Sequence, residues 1–244
     1  IKAQPYNRKL LQTILRKDIT LIDYETLEWP KGGRILGFGK WAGIVGTYNA
    51  LLTWGKKKGT FDLPPAYKTD GYEACIDNLK SIKLGKPKIL FTGNGRVADG
   101  IREVLETLQI LEVTPQELIS NNYQQSVFCQ MTHQNLYHRK DGGAWDEQHF
   151  FNNHKDYCCE FGVFTMYTDI LINGMYWEHD MPALFTKEET AKESFNIKVI
   201  ADITCDVEGS VPITTRATDI YDPTIGWRKT MQKEVPPFGE DTID

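Results

Sequence analysis

The 244-residue chain is short of several things, and each shortage removes a class of protein. It has no apolar run of the ~20 residues that crossing a bilayer takes. The longest candidate, Trp41 to Trp54, is broken by Thr47, Asn49 and Thr53, and reads as a buried core helix. It has no surplus of positive charge. Lys plus Arg number 28 against 33 acidic residues, so the balance is 28 − 33 = −5. A general nucleic-acid-binding role needs a basic face and is set aside, as is a membrane role. No C-x-x-C occurs among the five cysteines, the number is odd, and Cys158 and Cys159 are adjacent. This is no disulfide framework. Reduced thiols in a cytoplasmic protein are the expectation. The histidine pairs His133/His138 and His149/His154 are five apart, where a helical zinc pair wants about four. They read as polar surface residues, and no metal is expected. The chain also opens on Ile-Lys-Ala-Gln without an initiator Met, which reads as a processed chain or the interior of a longer one.

What remains is ordinary globular composition, 41% hydrophobic and 25% charged. At ~150 residues per domain the length suits one large domain or two small ones. Leu10, Leu11, Ile14 and Leu15 line one face of a helix over 5–17. Ile19–Ile22 reads as a short buried strand and Arg34–Phe38 as another. Gly39, Ala42, Gly43 and Gly46 then fall at helical spacing. Each glycine inside a helix costs about 1 kcal/mol against alanine, so the backbone there must approach something closely. Tight packing on a sheet is favoured over a helix beside a cofactor. A helix over 70–84 follows. Residues 120–160, rich in Asn, Gln, His and aromatics, show little pattern beyond a helix over 146–157.

The strongest local signal is Lys88–Thr92, an apolar run followed at once by Gly93-Asn94-Gly95-Arg96-Val97-Ala98. This is G-x-G-x-x-A, the dinucleotide fingerprint with alanine last. Ile101, Val104, Leu105 and Leu108 continue it as a helix, and Ile110–Val113 as a second strand. The strand–loop–helix context is what the mechanism requires. The first glycine permits the tight turn, the second lets the backbone reach a pyrophosphate, and the small third residue lets helix and strand pack closely. Helix-start N–H groups then meet the phosphate charge. A ribose-binding acid is expected ~20 residues on. That count lands at the neutral Thr114, with Glu112 two positions early. No Arg follows closely, so NAD is favoured and NADP left open. Strands over 169–173 and 197–203 complete the sheet, with a Thr186/Glu189 capping box between them. The C-terminal ends of the strands present Gly93, Asn173 and Asp206. Asp206 is a candidate for catalysis or ribose binding, and equally for capping the turn toward Gly209.

In order along the chain, Ile22–Glu25, Gly33–Gly46, Phe91–Val97, Leu171–Glu178 and Asp202–Asp206 resemble lysine-forming saccharopine dehydrogenase. They resemble at least as closely the lysine–ketoglutarate reductase half of the bifunctional lysine-degradation enzyme. The resemblance covers nearly the whole chain and extends to the alanine dehydrogenase/transhydrogenase superfamily. It implies an α/β fold: a Rossmann-like, doubly wound parallel-sheet domain plus part of a second, Rossmann-like substrate domain. Residues 1–38 would be part of the divided substrate domain, 39–225 the nucleotide domain, and 226–244 a return segment.

The implied activity is a nicotinamide-dependent dehydrogenase acting on CH–NH donors, interconverting saccharopine with lysine and 2-oxoglutarate. Alanine-dehydrogenase-like deamination is the alternative within the class, and a non-catalytic NAD(P)-binding regulatory module the alternative outside it. By resemblance, Lys2 lines the substrate site, Glu25 tunes the acid–base groups, Arg34 meets a substrate carboxylate, and Asp206 lies beside the nicotinamide. Asn173 and Tyr176 fall on the segment that meets the nicotinamide side. The family's acid–base lysine and histidine would fall upstream of Lys2, and its closing helical segment beyond Asp244. Thr114 departs from the family's usual acid. The expected partner is a small amino or keto acid, with a homo-oligomer left open.

Overall fold

The computed structural model describes residues 7–244, in two compact units, one ending at Phe38 and the other spanning Gly39–Asp244. The smaller unit holds α1 (Arg8–Arg16), in which no residue is buried. Its helical periodicity is as expected, but Leu10, Leu11 and Leu15 of the apolar stripe are all exposed. The two strands expected here do not form. Ile19, Leu21 and Ile22 are exposed and belong to no strand, and the Ile19 amide turns back to the Ile14 carbonyl. Of Arg34–Phe38, only Arg34 pairs, through an isolated antiparallel bridge to Glu28, while the amide of Ile35 reaches the Leu27 carbonyl. β-branched composition alone does not make a strand; it needs a neighbour to satisfy its backbone.

The larger unit is built on five parallel strands: β1 (Lys88–Thr92), β2 (Leu111–Glu112), β3 (Val127–Met131), β6 (Ile170–Asn173) and β7 (Val199–Asp202). Their order is β2-β3-β1-β6-β7. Ile89 is level with Phe128 and Ile170, and Thr92 with Met131 and Asn173. Both faces of this sheet are covered, which is why its central strands read as continuous apolar runs. Ile89, Phe91, Ile170 and Ile172 face one core with α2 (Gly39–Lys58) and α4 (Arg96–Thr107). Leu90, Cys129, Met131 and Leu171 face the other, with Leu118, Phe150 and Phe161. Each such fully buried aliphatic side chain contributes about 1.5–3 kcal/mol. β3, a central strand, lies inside the stretch that showed little pattern in the sequence.

The glycine spacing of α2 does serve tight packing, but Gly43 packs on helix α4 and not on the sheet. A Cβ on Gly43 would stand 2.0 Å from the Val97 carbonyl oxygen, and one on Gly100 would stand 2.0 Å from that of Lys40. The two helices therefore cross backbone against backbone. Helix α3 (Tyr72–Lys80) follows α2. The expected helix over 146–157 shortens to α7 (Glu147–Asn152), capped by Asp146. It follows α5 (Pro115–Ser120), α6 (His133–Leu136) and β4 (Tyr137–Arg139), and β4 pairs antiparallel with β5 (Tyr157–Cys159). The Thr186/Glu189 box forms, with reciprocal bonds of 2.8 and 3.2 Å, but opens a 3-10 turn over Glu188–Ala191 rather than an α-helix.

Residues 226–244 pack within the larger unit as an antiparallel sheet, ordered β10-β8-β9 from β8 (Gly226–Arg228), β9 (Lys233–Val235) and β10 (Thr242–Ile243). Lys57 Nζ anchors it, donating to Asp244 Oδ2 at 2.6 Å and Thr242 Oγ1 at 2.9 Å. No described helix is long and apolar enough to cross a membrane.

Candidate functional site

Strand β1 ends at buried Thr92, and the chain turns through Gly93 at φ +105°. That left-handed conformation favours glycine. It has a second reason too. A Cβ on Gly93 would stand 2.9 Å from the Gly174 carbonyl oxygen and 3.1 Å from Met175 Cα, so the loops after β1 and β6 meet here. Gly95 differs. It is the N-cap of α4, in extended conformation, and a Cβ there would meet nothing within 4 Å. Its lack of a side chain is not used inside the protein. It leaves open surface in front of the helix start, where first-turn N–H groups lack intrahelical acceptors. Asn94 and Arg96 are exposed, Val97 half-buried, and Ala98 buried at the helix–sheet contact. The Arg96 side chain leans on Gly39, at the start of α2.

At the ends of β6 and β7 lies a buried polar network. Thr92 Oγ1 donates to Asn173 Oδ1 at 2.7 Å. Asn173 Nδ2 donates to Asp202 Oδ1 at 2.9 Å and to Ser210 Oγ at 2.8 Å. Thr204 donates to the same Asp202 oxygen at 2.8 Å, and Thr214 to the other at 2.6 Å. Burial pushes the Asp202 carboxyl up from its ordinary value, against the lowering effect of the hydrogen bonds it accepts. Asn173 is 0% exposed, so its amide braces the strand ends instead of facing a ligand; this corrects its expected place on the coenzyme surface. The network fixes the turn that follows β7. There Cys205 and Glu208 adopt positive φ, and the Gly209 amide donates to the Asp206 carbonyl at 3.0 Å. The turn-closing contact is thus made by the Asp206 backbone. The Asp206 carboxylate is exposed, with no partner among the described residues.

Tyr176 is exposed, and its hydroxyl donates to Glu178 at 2.6 Å. The Tyr176 carbonyl accepts from His133 Nε2 at 2.9 Å. His133 and His154 are each 8% exposed, in a cluster with Tyr137, Phe150 and Phe151, which corrects their reading as surface residues. Burial holds the His133 imidazole below its ordinary value.

The ribose-acid count fails for a topological reason. β2 is separated from β1 by β3, so Thr114 does not adjoin the glycine loop. Thr114 instead caps α5, its hydroxyl accepting from the Glu117 amide in a reciprocal box. Glu112, level with Phe128, pairs with Arg102 through two bonds of 2.7 Å. On the smaller unit, Arg34 Nη1 and Glu25 Oε2 lie 3.9 Å apart, both well exposed. Lys2 lies outside the described residues. No group of three metal-ligating side chains occurs among the described residues. An apolar cavity of about 530 Å³ along α2, lined by Trp41, Tyr48, Tyr67 and Tyr72, shares no residue with the glycine loop.

The residues at the strand ends fit a dinucleotide. The loop is shaped by a glycine that only fits, Gly93, and kept clear by one that is free to be larger, Gly95. Beyond the candidates read from the sequence, the structure adds Thr92, Asp202, Thr204, Ser210 and Thr214. An Asp near the end of the predicted strand 197–203 and hydroxyls within a dozen residues of it are the available signal.

No family model matches the chain. It is 28% identical to the alpha-aminoadipic semialdehyde synthase of Mus musculus, over 91% of this chain and 28% of that protein. The Arabidopsis thaliana protein of the same name is 29% identical, over 91% of this chain and 24% of that one. A lysine-forming, NAD(+) saccharopine dehydrogenase of Candida glabrata is 24% identical over 92% of this chain and 55% of that one. The chain thus spans about a quarter of the synthases' length and about half of the dehydrogenase's. An L-alanine dehydrogenase structure superposes with a TM-score of 0.46 at 16% identity, covering 90% of this chain and 52% of that one. The synthases and the saccharopine dehydrogenase among these bear out the resemblance to that family read from the sequence.

Proposed function

We propose that the chain is the nucleotide-binding part of a nicotinamide-dependent oxidoreductase of amino and imino acids, of the saccharopine dehydrogenase type. The observation that carries this is the pair of glycines after β1. Gly93 is required by the fold, while Gly95 fills no internal need and clears the start of α4. Homologues named for saccharopine and aminoadipic semialdehyde chemistry support the substrate class. The coenzyme is a nicotinamide dinucleotide, NAD or NADP.

The reaction is the interconversion of saccharopine, water and oxidised coenzyme with lysine, 2-oxoglutarate, reduced coenzyme and a proton. When bound, the coenzyme supplies or accepts the hydride at the carbon of the carbon–nitrogen bond. The chain's own residues do the rest. The amides before and within the first turn of α4 hold the pyrophosphate. The network centred on Asp202 keeps the post-β7 turn in place, with the Asp206 carboxylate free at its surface. Arg34, a fixed planar cation, is suited to a substrate carboxylate. Glu25, 3.9 Å from it, is the residue proposed to tune the acid–base groups.

The test is a steady-state assay of the full-length protein with three substrate sets: saccharopine with NAD, lysine plus 2-oxoglutarate with NADH, and alanine with NAD. Turnover of the first two is expected. Turnover of alanine alone would replace the substrate class, and binding of coenzyme without turnover of any set would make the protein a nucleotide-binding module.

A further inference from the structure

The strand order moves the place where a dinucleotide's second ribose is read. In an open parallel sheet the ligand lies across the C-terminal strand ends, where the connections diverge to either side. Here that point is β1, with β3 on one flank and β6 on the other. If the loop after β1 holds the pyrophosphate, one half of the ligand lies over the ends of β6 and β7 and the other over the end of β3. The strand that follows α4 in sequence, β2, is one place too far out. Glu112 on it is level with Phe128 and so with Ile89, three residues, or about 10 Å, behind the end of β1.

The end of β3 is bound to the glycine loop directly. The Gly93 amide donates to the Met131 carbonyl at 2.8 Å, and Gln130 Nε2 donates to the Gly93 carbonyl at 2.8 Å. The next residues are Thr132, His133, Gln134 and Asn135. Thr132 N and Oγ1 both donate to Asn135 Oδ1, at 2.8 and 2.9 Å, so two bonds close the turn, and Asn135 is exposed on it. His133 is turned inward, its ring among Tyr137 and Phe150 and its Nε2 on the Tyr176 carbonyl, and burial lowers its pKa. The nearest cation of the loop, Arg96, leans the other way, on Gly39. The turn therefore carries neither a carboxylate to select a free ribose 2′-hydroxyl nor a cation to hold a 2′-phosphate.

We propose that the turn joining β3 to α6, through Thr132 and Asn135, is the ribose-reading element of the dinucleotide site, and that its lack of charge lets NADH and NADPH bind alike. The assignment rests on the nucleotide-binding reading above. It places coenzyme choice on residues outside the count from the glycine motif and takes Glu112 and Thr114 out of it.

The test is calorimetric titration of the full-length protein with NADH and with NADPH. The wild type should bind both with affinities within about tenfold of each other, since no charged group separates them. Thr132→Asp keeps a good helix-capping residue and adds a negative charge; it should weaken NADPH about tenfold or more relative to NADH. Asn135→Asp keeps the oxygen that accepts from Thr132 and should do the same, so the conclusion does not depend on one variant's folding. Glu112→Gln should leave the ratio unchanged. A wild-type preference above tenfold for either coenzyme, aspartate variants that leave the ratio unmoved, or a ratio that follows Glu112 would overturn the assignment while leaving the nucleotide reading in place. Failure of the wild type to bind either coenzyme would overturn both.

Discussion

Two glycines of one motif region, five residues apart, should respond to alanine in opposite ways. Gly100 sits at the crossing of α2 and α4, and a Cβ there would lie 2.0 Å from the Lys40 carbonyl oxygen. To reach even 3.0 Å the helices must part by 3.0 − 2.0 = 1.0 Å. Overpacking a tight core costs about 1–3 kcal/mol, with this contact at the upper end. Alanine's better helix propensity returns about 1 kcal/mol. Gly100→Ala should therefore lose about 2 kcal/mol while the folded fraction binds NADH normally. Gly95 has φ −97° and ψ −167°, which alanine adopts without strain, and open space in front of it. Gly95→Ala should change stability by about 1 kcal/mol at most, the difference between Gly and Ala as an N-cap. Its methyl group stands where a pyrophosphate must approach, so NADH affinity should fall at least about tenfold, or 1.4 kcal/mol. Urea unfolding gives the first quantity and titration of NADH fluorescence the second. If Gly95→Ala binds NADH like the wild type, the loop is not the pyrophosphate seat. If Gly100→Ala is as stable as the wild type, the crossing is not the constraint inferred for it.

Arg34→Ala should raise the KM for the dicarboxylate substrate and leave NADH affinity unchanged; equal loss of both would make the Arg34–Glu25 pair purely structural. Stability should fall on mild acidification because of His133. Its imidazole is lowered from 6.5 by burial, so as pH drops below that value the unfolded chain takes up a proton that the folded one refuses, and stability declines down to the lowered folded value. His133→Gln keeps a donor for the Tyr176 carbonyl and should flatten the profile of urea midpoints between about pH 7.5 and 5.5. An unchanged slope would mean that another group sets it.

The strand–loop–helix from Lys88 to Thr107 was legible because its signals are local: an apolar run, three spaced small residues, and a helical stripe. That Gly43 packs tightly is legible for the same reason, but its partner, helix α4 and not the sheet, is not. Strand order is not local. Nothing in Val127–Met131, with a Cys and a Gln inside it, announces that it slips between β1 and β2, and that one fact displaced the ribose count onto a helix cap at Thr114. Asn173 was placed correctly at a strand end but read as presented to a ligand, when its neighbours Thr92, Asp202 and Ser210 turn it inward. His133 and His154 were read from spacing as surface residues, whereas the aromatic rings that bury them are contributed by α7 and by β4. Ile19–Ile22 and Arg34–Phe38 have strand composition without a partner strand.

The most direct measurement is a crystal structure of the full-length protein with NADH. The account predicts the pyrophosphate over Gly93–Ala98, the nicotinamide over the ends of β6 and β7 near Asp206, and the adenosine ribose against Thr132 and Asn135. A dinucleotide bound with its pyrophosphate anywhere other than that loop would contradict it.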